Sequence, residues 1–223
     1  MLAIFIAAFM AAAPPSPLEL ARDKQDRATL TQLAAQASGA ADKAPNDAEA
    51  QYRAALANCY LAEVTIELHD RKGGRQIAEQ GIRYAEKTVA MKPGNAEYYR
   101  LLGTLYGQAI TDIMSGLSYG SKAKDAINRA VEKAPNSSMM YVARGVGNYY
   151  LPSQLGGGAK LAIPDFQKAI ELDRANAEAW LWLGLSLRKE NRDAEARQAF
   201  AKSLELNPNR LWAKQQLEKT PAK

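Results

Sequence analysis

Five times along this chain an apolar, helix-like run ends in the same short punctuation. It reads Ala44-Pro45-Asn46-Asp47, Lys92-Pro93-Gly94-Asn95, Ala134-Pro135-Asn136-Ser137, Asp173-Arg174-Ala175-Asn176 and Asn207-Pro208-Asn209-Arg210. The proline-equivalent positions are 45, 93, 135, 174 and 208, so the spacings are 48, 42, 39 and 34 residues. Proline cannot continue a helix, and self-similarity at such a period is the signature of stacked two-helix units, each burying its apolar face on its neighbours. The 34-residue spacing is the plain unit, and the longer ones carry inserts of 14, 8 and 5 residues.

The last unit is the most legible. Trp180, Leu183 and Leu187 fall on one helix face, with Gly184 between them. A mid-helix glycine costs about 1 kcal/mol against alanine, which implies that another backbone comes close. Asn191, Arg192 and Asp193 form a turn. Ala196, Phe200 and Ser203 face inward from a second helix, which Pro208 stops. Residues 96–137 repeat the pattern with Tyr99, Leu102, Gly103 and Tyr106, then Ala123, Ile127 and Ala130. Residues 138–176 do so with Tyr141, Arg144-Gly145 and Tyr149, then Ala162, Phe166 and Ala169. Tyr149 falls one place late, which predicts a local irregularity, and Pro164 predicts a helix start or a kink. Residues 48–95 hold phase through Tyr52, Leu56, Cys59, Tyr60 and Val64, then Ile77, Gly81, Ala85 and Thr88. Three stretches read as lengthened turns: 71–75, 115–121 and 151–158. Residues 18–43 read as one helix, and 211–219 as a polar-faced helix capping the array.

These residues resemble the tetratricopeptide repeat family, with Leu187 and Ser203 standing where its pattern has Tyr and Ala. The order of the inserts is also similar to the helical repeat domain of the regulator of microtubule dynamics family. The resemblance implies an all-α superhelix of antiparallel helix pairs over 18–223. Its repeats are 48–95, 96–137, 138–176 and 177–210. It further implies that the first helix of each pair lines a concave groove. The groove positions carry Glu97, Arg100, Thr104, Gly107 and Gln108; then Met139, Val142, Val146, Tyr149 and Tyr150; then Glu178, Leu181, Leu185, Arg188 and Lys189. Such a surface is apolar and aromatic in the middle, with Arg100, Arg188 and Lys189 at its flanks. It suits a peptide with an acidic end. Several of the apolar side chains have a second reading, as packing between repeats. Arg100 and Thr104 replace the Lys and Asn of the carboxylate clamp that binds chaperone tails, so that ligand is not expected.

Composition narrows the chemistry. A formal charge of +5 and a pI near 9.2 come from scattered residues with no basic block, which favours solubility over nucleic-acid binding. The single Cys59 rules out an internal disulfide and a cysteine-built zinc site; it reads as a small buried residue. The only histidine, His69, has no metal-ligand spacing and reads as an exposed helix end. Gly156-Gly157-Gly158 lacks the Lys-Ser/Thr of a phosphate loop. Glu63 and Glu67 lie one helical turn apart, as many solvated pairs do. No catalytic residue, metal or cofactor is expected. Residues 1–13 are apolar throughout and too short for a bilayer span, which needs about 20. They resemble an export signal, with an uncleaved anchor or a mis-set start as the other readings, and Pro14, Pro15 and Pro17 detach them from the helical chain after Leu18. The expected protein is therefore a non-catalytic, exported scaffold for a protein or peptide. The other reading is an accessory subunit that hands a small ligand through a cleft to an envelope transporter or enzyme.

Overall fold

The computed structural model describes residues 14–222, so the apolar run of 1–13 lies outside the described residues. Eleven α-helices follow one another among the described residues, with no strand. They are α1 (Pro17–Asp23), α2 (Arg27–Lys43), α3 (Ala48–Glu67), α4 (Arg71–Met91), α5 (Ala96–Gln108), α6 (Ile113–Lys133), α7 (Ser138–Tyr150), α8 (Ala159–Leu172), α9 (Ala177–Lys189), α10 (Asp193–Leu206) and α11 (Leu211–Glu218). They pack as hairpins α1/α2, α3/α4, α5/α6, α7/α8 and α9/α10. The first helices stack in turn, α1 on α3, α3 on α5, α5 on α7 and α7 on α9, and so line the concave side. Turns within hairpins form one rim of the array, and the punctuation between hairpins forms the other. No helix among the described residues is long and apolar enough to cross a membrane.

The packing explains the glycines of the repeat. A Cβ on Gly184 would lie 2.7 Å from the Phe200 ring, and one on Gly145 would lie 2.5 Å from the Phe166 ring. Both rings are fully buried. The close approach expected at Gly184 is therefore made by an aromatic side chain of the partner helix, not by backbone. Ala196, Ser203, Leu183 and Leu187 are buried around it as expected. Gly103 repeats the arrangement against Ile127.

Several expectations are corrected. Residues 18–43 are two helices, because Gln25 takes a left-handed backbone (φ 53°) and turns the chain between α1 and α2. The stretch 71–75 is helical. The turn is instead Leu68–Asp70, with His69 at φ 69°, and Asp70 caps α4 by accepting the Gly73 amide at 2.8 Å. The stretch 115–121 is likewise inside α6, whose start is set by a reciprocal cap between Asp112 and Ser115. Two of the three expected lengthened turns are thus lengthened helices. Only 151–158 is a loop, where Gly156 and Gly158 take φ of 80° and 107°. The α7 helix runs unbroken past Tyr149, and α8 contains Pro164 in its interior.

The capping helix is present. Trp212, Ala213 and Leu217 extend the apolar cluster around Phe200, while Arg197 donates to the carbonyls of Leu217 and Thr220. The two ends of the array also meet. Asn207 donates to Asp23 at 2.8 Å, and Gln215 to Gln25 at 3.0 Å. The superhelix therefore closes on itself.

Candidate functional site

The concave face is filled where the ends meet. Arg210, only 1% exposed, donates to Glu63 (2.7 Å) and Glu67 (2.5 Å) of α3 and to Glu178 (2.9 Å) of α9. Arg22 of α1 pairs with Asp23 at 2.6 Å, reaches Glu178 at 3.4 Å and lies over the Tyr60 ring. Two guanidiniums thus face four carboxylates. Burial pushes the Glu63 carboxyl up to about 7, against the pull of Arg210 and Arg22 and with the help of Glu67 and Glu178. Burial also acts upward on Glu178, but Arg210 and Arg22 outweigh it and hold that carboxyl below the usual range. Glu63 and Glu67 are therefore not the solvated pair the spacing suggested.

Arg210 occupies an informative place in the repeat. The equivalent position after each other punctuation is Asp47, Asn95, Ser137 or Asn176. Asp47, Asn95 and Asn176 accept the first amides of α3, α5 and α9. A guanidinium has no acceptor, and α11 begins without a side-chain cap. An arginine at a capping position was the signal by which the sequence could have revealed this cluster.

The expected groove residues separate into three groups. The first is spent inside the fold. Arg100 makes a two-pronged pair with Glu97 (2.6 and 2.5 Å), and Thr104 donates to the Arg100 carbonyl at 3.0 Å. Gln108 donates to the Cys59 carbonyl at 3.2 Å. Val142, Leu181 and Leu185 are buried among neighbouring helices. The second contacts the cap or a neighbouring turn. Arg188 binds Gln216 (2.6 Å) and Thr220 of the cap and lies over Phe200, while Met139 is exposed beside Asn176. Arg100 and Arg188, expected at the basic flanks, are both held by partners within the fold.

The third group stays together. Tyr149, Tyr150 and Trp182 contact one another edge-on at 5.1–5.8 Å, and Trp212 adds a fourth ring 5.3 Å from Trp182. Tyr150 is 54% exposed. The Lys189 amine sits 4.5 Å over the Tyr149 ring. Trp212 also lines an open depression of about 360 Å³ with Glu67, Leu68, His69, Gln215, Gln216 and Lys219. A second open depression, about 640 Å³, lies between Trp180, Ile170, Leu206, Arg174 and Lys202. Trp182 and Trp212 were not among the expected site residues; each lies at a position the repeat pattern leaves free, and only folding brings them together.

Little here suits covalent chemistry. Burial raises the Cys59 thiol to about 12, which leaves it protonated and inert. His69 is exposed at the end of α3. Among the described residues no His, Cys, Asp and Glu group could hold a metal ion, and the four clustered carboxylates are already occupied by arginine.

Comparison with known proteins agrees with this architecture. The family model described as regulator of microtubule dynamics protein 1-3 matches residues 19–152, and a tetratricopeptide repeat model matches 156–210. A thermophilic tetratricopeptide repeat protein of Thermus thermophilus superposes with a TM-score of 0.65 at 21% identity, over 91% of this chain and 96% of that one. The HusA haemophore from Porphyromonas gingivalis gives 0.54 at 18% identity, over 89% and 96%. Pseudomonas aeruginosa pilF gives 0.50 at 18%, over 76% and 68%. At these identities the likeness is one of fold. No curated protein sequence matches.

Proposed function

We propose, for a chain that belongs to the regulator of microtubule dynamics protein 1-3 family and carries a tetratricopeptide repeat at its C-terminal end, the role of a non-catalytic protein-interaction scaffold. Tetratricopeptide arrays are generally recognition scaffolds, and the apolar and ionic interior described above is given over to packing. The recognition surface is the mouth of the concave face, built by Tyr149, Tyr150, Trp182 and Trp212 with Lys189 and Lys219 beside them. The observation that carries this reading is Tyr150: a large ring left 54% exposed inside a cluster of aromatic side chains. Tyrosine and tryptophan are among the residue types that dominate binding energy at interfaces. The ligand is a peptide or protein segment with an apolar anchor followed by a carboxylate. Residues 1–13 act as an export signal, which intact-mass measurement on protein from the native host tests: a retained Met1 in a soluble cytoplasmic fraction ends that reading.

The accessory-subunit reading calls for an enclosed cleft. The two depressions described above are open to solvent and do not supply one.

Peptides selected by display against the full chain test the proposal. They are expected to carry an acidic residue next to an aromatic or aliphatic one. Tyr150→Ala and Lys189→Glu should each weaken them about tenfold or more, as for an interface hot spot, with the circular dichroism spectrum unchanged. Selected peptides that bind both variants as well as the original would move the site elsewhere.

A further inference from the structure

The closed array is made of two halves with two joints between them. Helices α1–α6 form one half and α7–α11 the other. In the middle, the interface between α6 and α7 is the least extensive of those between successive hairpins. The buried members of its apolar cluster are Tyr99, Ala130 and Met140. At the ends, the halves meet through polar groups. Asn207 and Gln215 of the second half donate to Asp23 and Gln25 of the first, at 2.8 and 3.0 Å. Arg22 reaches Glu178, and Arg210 reaches Glu63 and Glu67. The apolar clusters of the described residues each draw on neighbouring helices, and none of them crosses this seam.

A seam of this kind can part. Its hydrogen bonds replace hydrogen bonds to water, so each contributes little net. A buried ionic cluster gains attraction but loses hydration, and the two terms largely offset each other. Opening exposes both sides of the cluster to water together, so no charge is left buried without a partner. Burial of apolar surface holds each half together and is not what joins the ends.

The aromatic mouth lies on this seam. The depression beside Trp212 has Glu67, Leu68 and His69 of the first half on one side and Gln215, Gln216 and Lys219 of the second on the other. Leu68 offers a large apolar side chain there, 44% exposed. Tyr150 also faces the first half. Burial and then Tyr149 raise its phenol above the ordinary value, and the charges of Arg71, Glu67 and Glu63 reach it from α4 and α3. Given the recognition role proposed above, we infer that the bound peptide spans the seam, resting on Leu68 as well as on Tyr150 and Trp212, and so clasps the two halves together. Such a peptide finds its full surface only in the closed array. It therefore shifts the population toward closure, and by reciprocity whatever opens the seam weakens its binding.

Spin labels on the two halves of the full chain test this. In Gln32→Cys/Ala201→Cys both positions are exposed, on α2 and α10, and the native Cys59 is buried and stays unlabelled. The probe is a peptide selected by display on the full chain. Without it the distances between labels are expected to include a longer population, which the peptide removes. Asn207→Asp sets a second carboxylate against Asp23, away from the residues lining the depression, and should enlarge that population. Where the closed fraction falls to about a tenth, affinity for the peptide falls about tenfold. Leu68→Ser should weaken the peptide by a similar factor without lengthening the distances. Distances that the peptide leaves unchanged overturn the inference, and this measurement needs no latch variant to fold. Undiminished affinity in Leu68→Ser overturns it, as does a lengthened distance in Asn207→Asp with affinity intact. Tyr150→Ala tells the two failures apart. If it weakens the peptide and Asn207→Asp does not, the clasp falls and the recognition site stands. If it does not weaken the peptide, the site lies elsewhere and the clasp falls with it.

Discussion

At the scale of single residues, the fold rests on pairs made of one glycine and one large side chain facing it. Gly145 and Gly184 leave room for the rings of Phe166 and Phe200, which lie between the two helices of their hairpins. Alanine normally improves a helix interior by about 0.5–1 kcal/mol over glycine. At Gly184 that gain is outweighed, since the new Cβ would sit 2.7 Å from the ring and overpacking costs roughly 1–3 kcal/mol. Gly147, on the same helix as Gly145, has nothing within 4 Å of its would-be Cβ. Gly184→Ala is therefore expected to lower stability and Gly147→Ala to raise it, opposite signs for the same substitution. Urea denaturation of both variants checks this, and two shifts of the same sign would remove the ring contact as the reason for the glycine.

At the scale of elements, the turns decide how much of the fold could be read from the sequence. The hairpin pattern was legible because Asn recurs after each second helix, with Pro beside it at four of the five, and because apolar side chains keep the helical period. The lengthened helices were not. Gly73, Gly74, Gly116 and Gly120 look like loop composition, but Asp70 and Asp112 start helices just before them. Each pair of glycines costs about 2 kcal/mol and a capping carboxylate returns about 1, so tertiary packing of the helix's inner face supplies the rest. The tight turns at Gln25 and His69 were equally hidden, because each puts a non-glycine residue in the left-handed region, as does the turn that Asn191, Arg192 and Asp193 did announce. In each, the following amide reaches back five residues: Asp26 to Ala21, Asp70 to Thr65 and Arg192 to Leu187. This is the Schellman arrangement, which favours glycine at that position. His69→Gly is thus expected to stabilise the protein by about 1 kcal/mol, seen as a higher melting temperature. Asn191→Gly should gain less, since asparagine tolerates this conformation. The candidate site was less legible than the fold because it depends on closure: no spacing within the sequence brings Trp212 to Trp182, or Arg210 to Glu63 and Glu67.

At the scale of the whole molecule, closure rests on Arg210, which joins α3, α9 and the start of the cap across a separation of more than a hundred residues. Removing one partner of a buried ionic cluster costs roughly 3–5 kcal/mol, because the remaining charges are left unpaired. Arg210→Ala is expected to lower stability by about that amount and to open the array, seen as a larger radius of gyration in small-angle scattering. The cluster also ties stability to pH through Glu63. Its carboxyl is raised by burial to about 7, so the folded protein holds this proton more tightly than the unfolded chain does. The stabilisation linked to that proton is complete below pH ~4.5 and is lost as pH rises through about 7. Glu178 works in the opposite sense: its carboxyl is held low, so its contribution is present at neutral pH and lost as the solution becomes acidic. Glu63→Gln keeps an oxygen for Arg210 but cannot ionise. Between pH 5 and 8 the variant should lose the decline in stability that Glu63 causes, and it should be more stable than the original chain at pH 8. Melting curves across that range decide the matter. Parallel curves for the two proteins would mean that Glu63 stays ionised throughout and that Arg210 compensates its burial in full.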